Sequence, residues 1–168
     1  PEFLRKNVRG DTDSEVLFHV VLSFLYDAGR LQDGARADAR TVSAALSSTA
    51  SLVDQIVAEE GGEPGFPLNA LLTNGEMLAA LHRTGETNSS RMAMRVVHGR
   101  ADMDLLVADD ALRRVRLTDP GALRFAILAS DFADSQKVGD GDSPSSWTAL
   151  PARAIVVATR DAEPSVET

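Results

Sequence analysis

Leu68-Asn-Ala-Leu-Leu-Thr73, Asn74-Gly75-Glu76 and Met77-Leu-Ala-Ala-Leu-His-Arg83 form the stretch on which the fold class turns. Asn-Gly between two short apolar runs is the strongest short-range hairpin signal, because both residues tolerate the positive φ that a type I′ turn demands. The spacing predicts two antiparallel strands, Leu68 to Thr73 and Met77 to Arg83. Just before them, Glu60-Gly-Gly-Glu-Pro-Gly-Phe-Pro67 breaks any helix, since its prolines remove donors and its glycines add backbone freedom. This marks a change from helix to sheet.

Upstream of that break the period is helical. Val16, Leu17, Val20, Val21, Phe24 and Leu25 fall on one stripe, which predicts an amphipathic helix from about Thr12 to Ala28. Its start reads as a capping box, with Thr12 accepting from the Glu15 N–H and the Glu15 carboxylate reaching back to the Thr12 N–H. Asp11 and Asp13 place negative charge at the positive end of the helix dipole, and Gly29 supplies the stop. A second helix is expected from about Ala37 to Glu59, where Val42, Ala45, Leu46, Thr49, Leu52, Val53, Ile56 and Val57 recur at three and four.

Downstream of the hairpin, Met94–Val97, Leu123–Ala129 and Ala154–Thr159 read as strands. Between the last two, the Asp-, Gly- and Ser-rich stretch 131–146 reads as an exposed loop, closed by Trp147, and residues 161–168 read as a frayed tail. No internal repeat is present. Two helices followed by strands without alternation predict an α+β domain over residues 1–160, its helices packed on a largely antiparallel sheet.

Composition narrows the function. The 168 residues carry 17 Lys and Arg against 25 Asp and Glu, a formal net charge of −8, with no cysteine. Thiolate chemistry, cysteine zinc sites and disulfides are excluded within this chain. The acidic balance argues against capture of a nucleic-acid backbone. No apolar run reaches the roughly 18 residues needed to span a bilayer, and no secretory leader is visible, so a cytoplasmic location without membrane contact is the expectation. The first residue, Pro1, points to a processing site, an artificial junction or a fragment boundary.

Most candidate motifs have ordinary structural explanations. His19, His82 and His98 share no ligand spacing, so no metal site is expected, and no glycine-rich phosphate loop or other cofactor motif is present. Arg9-Gly10-Asp11 matches an adhesion tripeptide but lies where a turn and an acid are expected before a helix. The informative segment is Gly10-Asp11-Thr12-Asp13-Ser14-Glu15, whose three carboxylates exceed what a cap needs. A carboxylate at the first helical position points out of the helix end, where it can hold an ammonium group.

That segment, followed by an apolar helix, resembles the Gly-Asp-Thr-Asp-Ser-Glu stretch of class II glutamine amidotransferases, the N-terminal-nucleophile group, and most of all its single-domain glutaminase and γ-glutamyl amide hydrolase branch. The resemblance runs in order through most of positions 8 to 160. Ala70 to Leu81 is similar to the family's hairpin, Phe125 to Asp131 to its strand ending in Ser-Glu-Pro, and Trp147 to Val157 to its Trp, Val-Pro and closing strand. The chain departs from the pattern where Asp131-Phe132 stands in place of Glu-Pro.

The resemblance implies a partial αββα sandwich and hydrolysis of a glutamine side-chain amide by an N-terminal cysteine, whose α-amino group is the base. This chain holds neither that cysteine nor the oxyanion Asn-Gly, which in the family precedes the acidic block; Asn74-Gly75 follows it and is a hairpin turn. No catalytic residue is therefore assigned, and the chain alone is expected to be inactive. What carries over is substrate binding: Asp13 for the α-amino group of a glutamine or γ-glutamyl substrate, with Thr12 as cap and Ser14 as a supporting donor. The nucleophile would then lie on a missing N-terminal segment or a companion chain, in an oligomeric assembly. Two alternatives stand beside this: a non-catalytic scaffold or binding module that keeps the fold, and an unrelated acidic α+β interaction domain.

Overall fold

The structure is a computed structural model, described for residues 6–10, 12–32, 36–63, 65–85, 92–106, 124–130 and 147–168. It is α+β. Helices α1 (Asp13–Asp27) and α2 (Ala39–Glu59) come first, then strands β1 (Leu68–Thr73), β2 (Met77–Arg83) and β3 (Met92–His98). Helix α3 (Gly99–Leu106) and strands β4 (Arg124–Ser130), β5 (Thr148–Ala149), β6 (Arg153–Thr159) and β7 (Ser165–Glu167) follow.

Both long helices end by local rules. Thr12 caps α1, its Oγ1 accepting from the Glu15 N–H at 3.3 Å, and Asp38 caps α2, its Oδ1 accepting from the Thr41 N–H at 2.8 Å. Those hydrogen bonds from the Thr41 N–H and hydroxyl hold the Asp38 carboxyl below its ordinary pKa. At the other end of α1, Gly29 takes a φ of 71° so that its N–H reaches the Tyr26 carbonyl and the Arg30 N–H reaches that of Leu25. Replacing Thr12 by alanine is expected to cost about 1 kcal/mol, read as a lower urea midpoint at unchanged m-value.

The hairpin forms with the expected strand ends, pairing Leu68 with Arg83 through Thr73 with Leu78. Its turn differs from the two-residue form. Residues 74–76 connect the strands, Gly75 takes the left-handed region at φ 85°, and the Asn74 side chain closes the turn, Oδ1 accepting from the N–H groups of Glu76 and Met77. Strand β3 is longer than the Met94–Val97 expectation. Helix α3 follows it directly, where the His98 N–H donates to Asp102 and Arg100 pairs with Asp104 one turn on.

Among the described residues all strand pairs are antiparallel, in two sheets of order β1-β2-β6-β7 and β4-β3-β5. The tail does not simply fray: Ser165–Glu167 pairs with β6, and the Ser43 hydroxyl donates to the Glu167 carboxylate. The expected exposed loop at 131–146 lies outside the described residues.

Alternation along β2 and β6 separates two cores. Ala79, Leu81 and Val157 face Val21, Leu25, Val42 and Leu46 of the helices. Ala80, Ala154 and Val156 point the other way, to Met92 and Leu150, with Met94 and Leu128 alongside. The four-stranded sheet is thus covered by helices on one face and by the second sheet on the other. Its edge strand β1 is the exception: Leu68, Ala70 and Leu72 pack toward the helices, while Asn69, Leu71 and Thr73 are exposed.

Candidate substrate-binding site at the start of the first helix

The first turn of α1 presents the acidic segment. Asp13 is its first residue and exposed, with Oδ1 accepting from the Ser14 N–H at 2.8 Å. Its second oxygen takes no hydrogen bond among the described residues, so it can receive a donor from outside. Thr12 is occupied as the cap, and the Ser14 hydroxyl donates to Thr12 Oγ1 at a long 3.5 Å. Ser14 and Asp13 therefore lie side by side on one surface, with Thr12 holding the turn behind them. Asp11 lies outside the described residues.

Glu15 corrects the expected capping box. Its carboxylate does not return to the Thr12 N–H but accepts from the N–H groups of Arg9 and Gly10, at 2.8 and 2.7 Å. The two bonds hold its pKa below the ordinary range and tie the incoming chain to the helix. A side chain at position 10 would meet the Glu15 carboxylate at 2.6 Å, so glycine there keeps the clasp closed.

Beside this turn lies a groove of about 780 Å³ between α1, α2 and the edge strand β1. Asp13 and Ser14 sit on its border, and Asp13 is the one charged lining residue among the described residues. Leu46 and Thr49, both fully buried, form its floor, the Thr49 hydroxyl being satisfied by the Ala45 carbonyl at 2.8 Å. Val16, Ile56, Phe66 and Leu71 contribute exposed apolar surface, each more than half accessible. A carboxylate at the rim of an apolar groove suits a ligand with a cationic end and an aliphatic body. Sequence periodicity places Val16 and Ile56 on core stripes and gives no sign that both remain uncovered.

A second cleft, of about 240 Å³, lies between α2, β2 and β6. It contains Arg83, which is 4% exposed and donates to both oxygens of Asp54 at 2.7 and 2.8 Å and to the Ala50 carbonyl. Burial works against the Asp54 charge, but the Arg83 guanidinium and the Gly65 N–H outweigh it and leave the carboxyl below its ordinary pKa. This pair anchors helix to sheet. On the opposite face of β2, His82 is 1% exposed, with Nδ1 2.6 Å from Asn69 Oδ1 on the neighbouring strand. Burial lowers its pKa and favours the neutral ring. Arg95 on β3 is also buried, with Nε and Nη2 unpartnered among the described residues, and nothing in the structure explains it.

The three histidines have separate surroundings, and no cluster of His, Asp or Glu able to hold a metal ion occurs among the described residues. None of the described helices is long and apolar enough to cross a membrane. No protein-family model matches the chain, and neither a curated protein nor a solved structure matches it.

Proposed function

We propose that this chain is the larger, C-terminal part of a class II glutamine amidotransferase or γ-glutamyl amide hydrolase domain, binding the substrate while another polypeptide segment brings the nucleophile. The observation that carries the reading is Asp13: an exposed carboxylate on the first turn of α1, one oxygen free of hydrogen bonds among the described residues, at the border of the groove. Its charge pairs with the α-amino group of a glutamine-like substrate, and Ser14 supplies a neighbouring hydroxyl. Glu15 fixes the approach of the chain and so the aim of the turn. The succession of helix layer, sheet and second sheet favours an αββα sandwich with layers still to be added. The apolar groove, uncovered by the described residues, favours a further segment or a companion chain.

The chemistry assigned to that segment is attack of a thiolate on the side-chain amide carbon, release of ammonia, and hydrolysis of the resulting thioester to glutamate. This chain contributes orientation. Expressed together with the polypeptide encoded immediately upstream, the pair should hydrolyse glutamine and be labelled by a glutamine-analogue electrophile on the upstream piece alone. Asp13→Asn in that assembly should raise KM about tenfold or more, with kcat much less affected, because it removes binding shared by ground and transition states. An unchanged KM, or a label on this cysteine-free chain, would rule the assignment out.

A further inference from the structure

We propose that the cleft between α2, β2 and β6 is a second binding site, for a small zwitterion: a short amino acid whose carboxylate meets Arg153 and whose ammonium group meets Glu167. The inference goes beyond amide hydrolysis and rests on neither Asp13 nor the groove beside it.

Strand register sets the charges in place. Arg83 and Arg153 stand directly opposite each other on β2 and β6, on the face that Leu81 and Ile155 turn toward the helices. Their stems therefore rise side by side, and like charges in that position are unfavourable. Asp54 answers the first, both of its oxygens accepting from Arg83 at 2.7 and 2.8 Å. Arg153 is exposed and makes no hydrogen bond or salt bridge among the described residues. Its guanidinium stands beside Gly65, where a Cβ on that glycine would lie 3.8 Å from Nη2.

The opposite charge arrives from β7. Glu167 pairs with Ile155 and is thereby the diagonal neighbour of Arg153, about 7–8 Å away by sheet geometry and within reach of a long side chain. The two do not bridge. Glu167 accepts from the Ser43 hydroxyl through one oxygen and keeps the other free of hydrogen bonds among the described residues. The cleft, of about 240 Å³, thus carries a guanidinium and a carboxylate on its border, with the side chains of Leu81 and Ile155 as apolar floor beside them. Arg83, 4% exposed and also bonded to the Ala50 carbonyl, holds α2 against the sheet and so fixes the width of the opening.

These charges choose the class of ligand. A plain anion drawn to Arg153 meets repulsion from Asp54 and Glu167, and a plain amine drawn to Glu167 meets Arg153. A zwitterion with a few methylenes between its ends satisfies both groups and lays its aliphatic part on Leu81 and Ile155.

The test titrates the isotope-labelled full chain with γ-aminobutyrate, and with butyrate and propylamine at equal ionic strength, each analogue lacking one of the two charges. Saturable NMR shifts should appear at Ser51, Arg153, Ile155 and Glu167 with γ-aminobutyrate, and either analogue should bind about fivefold more weakly, as expected for loss of one ion pair. Arg153→Gln should bring γ-aminobutyrate down to the affinity of propylamine. Glu167→Gln, which keeps an acceptor for the Ser43 hydroxyl, should bring it down to that of butyrate. Both positions are exposed, so the urea midpoint should stay nearly unchanged in either variant. Equal binding of γ-aminobutyrate and butyrate, a preference that survives both substitutions, shifts confined to the groove at Asp13, or shifts that rise without saturation would each overturn the proposal. None of these readouts involves glutamine hydrolysis, so failure here leaves the amide-hydrolase reading to its own test.

Discussion

Asp54→Ala should lower the stability of the domain by about 3 kcal/mol, the lower part of the range for removing one partner of a buried ion pair. The cost comes from what remains. Arg83, itself 4% exposed, keeps its guanidinium against the helix face of the sheet, where among the described residues the Ala50 carbonyl at 3.2 Å is the one acceptor left to it. The Gly65 N–H, which donates to Asp54 at 2.9 Å, also loses its acceptor. Because the Asp54 side chain is itself 27% accessible, water reaches part of the vacated site and keeps the loss from the upper end. Removing both charges by adding Arg83→Met should restore much of the stability, since an apolar side chain in that position leaves no buried charge. Urea unfolding of the two variants beside the parent checks this; equal losses in both would show that packing of the Arg83 stem, not its charge, matters.

The same pair sets an acid limit. The Asp54 carboxyl is lowered from its ordinary 3.8 in the folded chain, so it contributes stability that is fully present above the unfolded value. That contribution is lost as the pH falls through the folded value. Acid titration of the urea midpoint should therefore show a decline below about pH 4, and Asp54→Ala should flatten it. A decline of the same size in the variant would assign the acid sensitivity to other carboxylates.

Leu46→Ala should cost about 3 kcal/mol and lower the melting temperature by roughly 6–12 °C. Leu46 is fully buried where α2 meets α1 and the sheet, among Val21, Leu25, Leu81 and Val157. It also forms part of the groove floor, so the vacated space adjoins open volume and the penalty stays below that of a sealed cavity. Thermal unfolding by circular dichroism reads the effect. A shift under about 2 °C would mean that the helix layer closes over the vacancy.

The hairpin was legible because its signals are local. Turn chemistry at Asn74-Gly75 and the apolar runs beside it act over a few residues, and the strand ends came out where the pattern placed them. Thr12, Asp13 and Gly29 marked the ends of α1 for the same reason. The three-residue connection escaped that reading because the side-chain bonds of Asn74 that close it are not distinguished by an Asn-Gly pair. The target of Glu15 escaped it because the path of residues 9–10 is not a local property.

The pairing of Arg83 with Asp54 joins positions 29 apart in the chain, and His82 meets Asn69 only through the hairpin register. The third helix rests on two short-range acid contacts that hydrophobic spacing does not see. Val16 and Ile56 carry the spacing of core residues, yet both remain exposed beside β1. Periodicity identifies an apolar face but not whether anything covers it.

By itself the sequence determined the α+β class, both long helices, the Thr12 cap and Gly29 stop of the first, the central hairpin, and an acid at the start of the first helix. These follow from backbone preferences and side-chain periods that act within a turn or a strand. Only the tertiary structure decided that the described strands divide into two sheets, that an ion pair locks α2 to β2, and that Asp13 borders an apolar groove beside β1. Those outcomes depend on which distant surfaces meet and exclude water, a property of the packed chain that no local window contains.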